Sequence, residues 1–115
     1  MTEIQSLKNK IFSEPSTKAN RPYLVKYIKI KTEKAKQLSE EERLAEQGEG
    51  WNIASDICGA IAHNCADTGV KHNNWLNEQA EPILSEIMDV TCTLDIDGNH
   101  PEDWERFFEL VENLK

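Results

Sequence analysis

The chain has little of what usually announces a mechanism. Its 115 residues contain three cysteines, four prolines and five glycines, and only 7% are aromatic. Cys58, Cys65 and Cys92 are odd in number, and no two form a Cys-x-x-Cys pair. That excludes a fully paired disulfide scaffold and the usual ligand spacing of a zinc ribbon. If Cys58 and Cys65 share a helix, their backbones stand about 10 Å apart, beyond the roughly 7 Å a disulfide spans. They read as small apolar side chains in a reducing compartment. No apolar run approaches the roughly 20 residues of a membrane span. Met1–Gln5 lacks the basic start and apolar stretch of a secretory signal, so the expected location is cytoplasmic. Glycine-rich phosphate loops, His-Glu-x-x-His and Gly-x-Ser-x-Gly are absent, which removes the commonest nucleotide, zinc-protease and serine-hydrolase signatures.

What is present suits one small globular domain over residues 1–115. Hydrophobic residues are 38% and charged residues 30%, too apolar for a disordered tail and without the period of a fibrous repeat. Residues 1–43 carry ten Lys/Arg against six Glu, a balance of +4; residues 44–115 carry three against fifteen Asp/Glu, a balance of −12. Such a split speaks of partners more than of fold. The halves either face one another, within the monomer or across a homodimer, or one of them meets another molecule. Direct nucleic-acid binding is disfavoured for a chain that is −8 overall, because most of its surface repels a polyanion.

The spacing predicts a mainly α, single small bundle of four to five helices. Thr2–Phe12 has a capping-box start and an apolar face of Ile4, Leu7, Ile11 and Phe12. Residues 13–20 read as a loop. Asn20 and Pro22 open a second helix through Leu24, Tyr27, Ile28, Ala35 and Leu38. Ser39-Glu40-Glu41-Glu42 is a second capping box, implying a break near Leu38 and a restart. Gly48 and Gly50 read as a stop, making 48–50 an inter-helix loop. Residues 51–68 form the clearest helix, with Ala54, Ile57, Cys58, Ile61 and Cys65 inward and Asn52, Asp56 and His63 opposite. Gly69 ends it, and 69–74 is a loop before a helical turn at Trp75-Leu76. Pro82 opens a helix with Ile83, Leu84, Ile87 and Met88 inward, and Pro101 opens the last, with Trp104, Phe107, Phe108, Val111 and Leu114 inward. A rival period exists in two places. Residues about 24–31 and 90–97 alternate well enough for a minor two-stranded ribbon, the acidic face of the second strand against Lys29 and Lys31.

Cys58, His63, Cys65 and His72 do not converge on a metal if 51–68 is helical, since His63 points away from Cys65. Asp95-Ile96-Asp97-Gly98 echoes a calcium loop but has Trp104 where the closing glutamate belongs. Glu86-Ile87-Met88-Asp89 is similar to half of the pattern of MazG-like nucleotide pyrophosphohydrolases, a resemblance over about a tenth of the chain. Those helical proteins hold magnesium against a triphosphate with a Glu-x-x-Glu and a later Glu-x-x-Asp pair. The resemblance implies Glu81, Glu86 and Asp89 as metal ligands. The first pair has no clear counterpart, because Glu78-x-x-Glu81 lies close upstream and Glu46-x-x-Glu49 falls among glycines. Five lysines between Lys26 and Lys36, beside Tyr23 and Tyr27, form either a solvated helix face or a phosphate contact.

The leading expectation is a non-enzymatic, cofactor-free protein-binding module: a stoichiometric inhibitor, adaptor or accessory subunit. Glu102, Asp103, Glu105, Glu109 and Glu112, with Lys26 and Lys29, would meet a protein with a basic surface, such as one that handles nucleic acid. Self-association through the small residues of 51–68 is compatible with it. The alternative is the magnesium-dependent nucleoside triphosphate pyrophosphohydrolase.

Overall fold

In this computed structural model the described residues are 3–13, 21–45, 48–66, 82–96 and 101–115. They form six helices: α1 (Glu3–Ser13), α2 (Arg21–Gln37), α3 (Glu40–Leu44), α4 (Glu49–Ala66), α5 (Pro82–Ile96) and α6 (Pro101–Glu112). The most extensive packing is α4 on α5, with α6 also on α5 and the α1–α2 pair against α4; α2 also touches α6, and α3 rests on α4. A single core runs through them, from Leu7 and Ile11 of α1 to Trp104, Phe107, Val111 and Leu114 at the C-terminal end. No helix among the described residues is long and apolar enough to cross a membrane.

The ribbon expected at 24–31 and 90–97 does not form: the described part of both segments is helical, within α2 and α5. The physical reason is which period the core selects. In α2 the buried residues are Leu24, Tyr27, Ile28, Thr32 and Ala35, a helical and not an alternating set. In α5 the buried set is Leu84, Ile87, Val90, Thr91 and Leu94, so Thr91 is inside where a strand would have turned it out. The threonines that favour a strand are tied into the helix by their hydroxyls. Thr91 Oγ1 donates to the Ile87 carbonyl at 2.8 Å, Thr93 Oγ1 to Asp89 at 3.1 Å, and Thr32 Oγ1 to Ile28 at 2.7 Å. Each hydroxyl thereby finds its partner one turn back along the same helix.

Among the described residues the helix count of six exceeds the four to five expected, because the break near Leu38 produces a separate short helix. Ser39 is extended (φ −67°, ψ 162°) and caps α3 reciprocally with Glu42. The Glu42 amide donates to Ser39 Oγ at 3.1 Å, and the Ser39 amide to Glu42 Oε1 at 3.0 Å. Hydrogen bonding from Ser39, by its backbone amide first and its side chain second, holds the Glu42 carboxyl below the usual carboxylate range. Arg43 closes the seam by donating from Nη1 to the Ala35 and Leu38 carbonyls at 3.2 and 2.7 Å, at the end of α2, where helical carbonyls lack their regular partners; the Ala35 carbonyl also accepts from the Leu38 amide at 3.2 Å.

The glycines at 48–50 start a helix instead of stopping one. The Gly48 carbonyl accepts from the Asn52 amide at 3.0 Å, and Gly50 is buried in the first turn of α4. Helix α4 therefore begins two residues earlier than the sequence pattern implied. Ile53, Ala54, Ile57, Ala60 and Ile61 are buried along it, and Cys58 is half-buried. Ser13, expected to open the 13–20 loop, is the last residue of α1; the rest of that segment lies outside the described residues, as do the expected cap at Thr2, the expected 69–74 loop and Trp75-Leu76 turn, and the side chains of Phe12, His63 and Cys65.

Gly59 is exposed in the middle of α4, and a methyl group added to it would meet nothing within 4 Å. Gly59→Ala is accordingly expected to raise stability by about 0.5–1 kcal/mol, the helix-interior difference between the two residues. A urea melt that moves the midpoint downwards would contradict an open helical backbone there.

Candidate functional site

The charged residues of interest sit on α2 and α6, which touch. On α6 the buried residues are Trp104, Phe107 and Val111, while Glu102, Glu105, Glu109 and Glu112 are exposed and Asp103 is half-buried. At about 100° per residue the four exposed glutamates fall within a stripe about 80° wide, centred opposite the buried residues. The stripe runs about 15 Å along the helix. Glu102 and Asp103 lie in the first turn, where the helix dipole favours anions.

The basic residues of α2 are partly spent on the protein itself. Lys31 Nζ lies 2.8 Å from Asp56 Oδ2 of α4, the least exposed ion pair among those described. The Lys31 ammonium also stands 5.8 Å from the centre of the Tyr27 ring. Burial, and secondarily the Asp56 charge, pushes the Tyr27 hydroxyl up to about 12. Asp56, expected to face solvent from the outer side of its helix, thus joins α4 to α2. Lys26 pairs with Glu3 of α1 at 3.3 Å, with both side chains well exposed. Lys36 lies 3.8 Å from Glu112 and 3.7 Å from Glu33. Exposed pairs of this kind contribute at most about 1 kcal/mol each.

Lys29 and Lys36 also line a shallow groove of about 200 Å³ between α2 and α6, with Thr32, Glu33, Val111 and Glu112. Glu112 is therefore where the acidic and basic faces meet within one molecule. The other end of the stripe differs: Glu105 and Glu109 are exposed and form no ion pair among the described residues.

Glu86 and Asp89 are exposed on the outer edge of α5, one turn apart; Glu81 lies outside the described residues. No group of three or more His, Cys, Asp or Glu side chains gathers for a metal among the residues described. His72, His100 and the Asp97-Gly98 turn fall outside that set.

Two concavities have no counterpart in the sequence pattern. One, of about 450 Å³, lies between α1 and α2 and is lined by Ser6, Leu7, Asn9, Lys10 and Tyr23. Tyr23 is the exposed large hydrophobic residue of the described set, at 39%, with Lys10 Nζ 5.5 Å from its ring centre. The other, of about 70 Å³, separates α3 from the first turns of α6. Tyr23 was visible beside the lysine segment. Its pairing with α1 was not, because it depends on how two helices cross.

The fold and its charges define a small, mainly helical module with an acidic outer helix. No protein-family model, curated protein or solved structure matches the chain.

Proposed function

We propose that this chain is a protein-binding module whose working surface is the acidic outer face of α6, offered to a basic partner. The observation that carries this reading is the placement of Glu102, Glu105, Glu109 and Glu112 on one exposed stripe of a helix fixed from behind by buried aromatic residues. A rigid backing matters, because carboxylates held at fixed spacing lose less freedom on binding than carboxylates on a loop. Lys26 and Lys29, exposed on the neighbouring basic helix, would set orientation through charge complementarity and add little affinity. A protein surface built to grip nucleic acid is a fitting target. Its cations are arranged for a regular row of anions, and a row of glutamates at helical spacing supplies one. Such a module would act as a stoichiometric inhibitor, an adaptor or an accessory subunit.

Affinity capture from the native cytosol tests this, with the wild-type chain and the reversal E102K/E105K/E109K/E112K as parallel baits. A partner held through this face should be retained at low salt, lost progressively as salt rises, and weakened on the order of tenfold or more by the reversal. The control E86K/D89K reverses two exposed acids on a different helix and should leave retention unchanged. Binding that ignores both salt and the reversal would end the proposal.

A further inference from the structure

We propose that α3 is a displaceable cover over the polar edge of Trp104. Trp104 is 2% exposed, and its indole Nε1 is the buried side-chain nitrogen without a hydrogen-bond partner among the described residues. A buried donor left unsatisfied costs free energy in the closed fold and calls for an explanation. Its position supplies one. A methyl group on Gly50 would lie 3.0 Å from Trp104 Cζ2 and 2.7 Å from the Arg43 carbonyl oxygen. Cζ2 and Nε1 are bonded to the same ring carbon, so the N–H-bearing edge faces the seam where α3 meets α4.

Away from that close contact with Gly50, α3 is lightly held. Helix α3 has five residues, none of them fully buried, with Leu44 its one hydrophobic side chain packed, partly buried, against the core. It is held by an exposed capping box, by the Arg43 hydrogen bonds to the end of α2, and by the Arg43 guanidinium 5.5 Å from the Phe108 ring centre. The 70 Å³ gap lies between Glu40, Arg43 and Leu44 on one side and Pro101, Trp104 and Phe108 on the other, so the contact is incompletely filled. Segments with little buried apolar area and solvent-exposed hydrogen bonds open at far lower free energy than the core. Opening here also gives the indole a partner, which lowers the cost further. The uncovered ring would stand beside Glu105, and an aromatic face next to a carboxylate suits a basic side chain. That last consequence rests on the acidic-face reading; the opening itself does not.

Native-state hydrogen exchange on the full chain, followed by NMR, tests the opening. The Trp104 indole N–H should exchange with the Arg43 amide and at least about a hundredfold faster, relative to its unprotected rate, than the Phe107 amide. Ser39→Ala removes the cap and should speed both the indole and the Arg43 amide about fivefold, the equivalent of about 1 kcal/mol. Ser39→Thr, which keeps the cap, should leave both near the wild-type rate. Ile57→Val, remote in the core, should speed the Phe107 amide roughly twofold to tenfold and leave the indole unchanged. An indole as protected as Phe107, and accelerated by Ile57→Val, would overturn the proposal. So would an Arg43 amide that responds to Ser39→Ala while the indole does not.

Discussion

Phe107→Ala should cost about 3–5 kcal/mol of stability, the range for removing a buried aromatic ring. The ring is fully buried. It meets Trp104 edge-on, with centroids 5.8 Å apart and planes at 80°, and Phe108 at 5.7 Å. Edge-to-face pairs add to the apolar burial itself, so truncation loses transfer energy, ring contacts and packing together. Helix α6 is also the last described helix and docks on α5 and α2, so the loss would fall on the element that carries the acidic stripe. Domains of this size are stable by roughly 5–15 kcal/mol in total, so the variant should lose a large fraction of its stability. Urea or thermal melts followed by circular dichroism would measure it. Phe108→Ala is the comparison: its ring is half-buried and flanked by Lys36 and Arg43 at 5.8 and 5.5 Å, so its loss should be distinctly smaller. Equal losses for the two would mean that the inward face of α6 has been misplaced.

Gly50→Ala should destabilise by about 1–3 kcal/mol, the cost of overpacking a filled site. The substitution ordinarily helps a helix by up to about 1 kcal/mol, and Gly59→Ala in the same helix is expected to show that gain. At Gly50 the new carbon would lie 2.7 Å from the Arg43 carbonyl oxygen and 2.8 Å from Arg43 Cα. These are backbone atoms, which cannot swing aside as the tip of a side chain can. Relief requires α3 to move away from α4, and Trp104, 3.0 Å from the same point, would be disturbed with it. The opposite signs of two identical substitutions nine residues apart make the test sharp. A Gly50→Ala variant as stable as the wild type would show that α3 does not press on α4 at this point.

Much of the helical content was legible in the residues because its signals are local. Proline at 82 and 101 marks two helix starts. The Ser39–Glu42 capping box was readable as four letters, and the apolar spacing of Trp104, Phe107, Val111 and Leu114 named one buried face without any knowledge of its neighbours. Residues 90–96 were ambiguous for an equally physical reason. Val90, Cys92, Leu94 and Ile96 satisfy an alternating period while Leu84, Ile87, Val90, Thr91 and Leu94 satisfy a helical one, and β-branched residues tilt the choice wrongly when their hydroxyls can bond back along a helix. The glycines at 48–50 were misjudged because glycine serves a turn or a close approach equally well. Which of the two applies depends on whether another backbone stands alongside.

The acidic residues of α6 were nameable from sequence, and their confinement to a single stripe follows from helical period alone. What opposes them does not. That Lys36 reaches Glu112, and that Lys31 is taken by Asp56, depends on α2 crossing both α6 and α4. The chain alone thus determined its polarity of charge by composition, and most of its helix starts and the inward face of its last helix by neighbours a few residues apart. Only the tertiary structure decided which charges cancel, where two backbones touch at Gly50, and that the indole N–H of Trp104 is buried without a partner among the described residues. Those are properties of surfaces brought together from distant parts of the chain, and no local pattern encodes the distance between them.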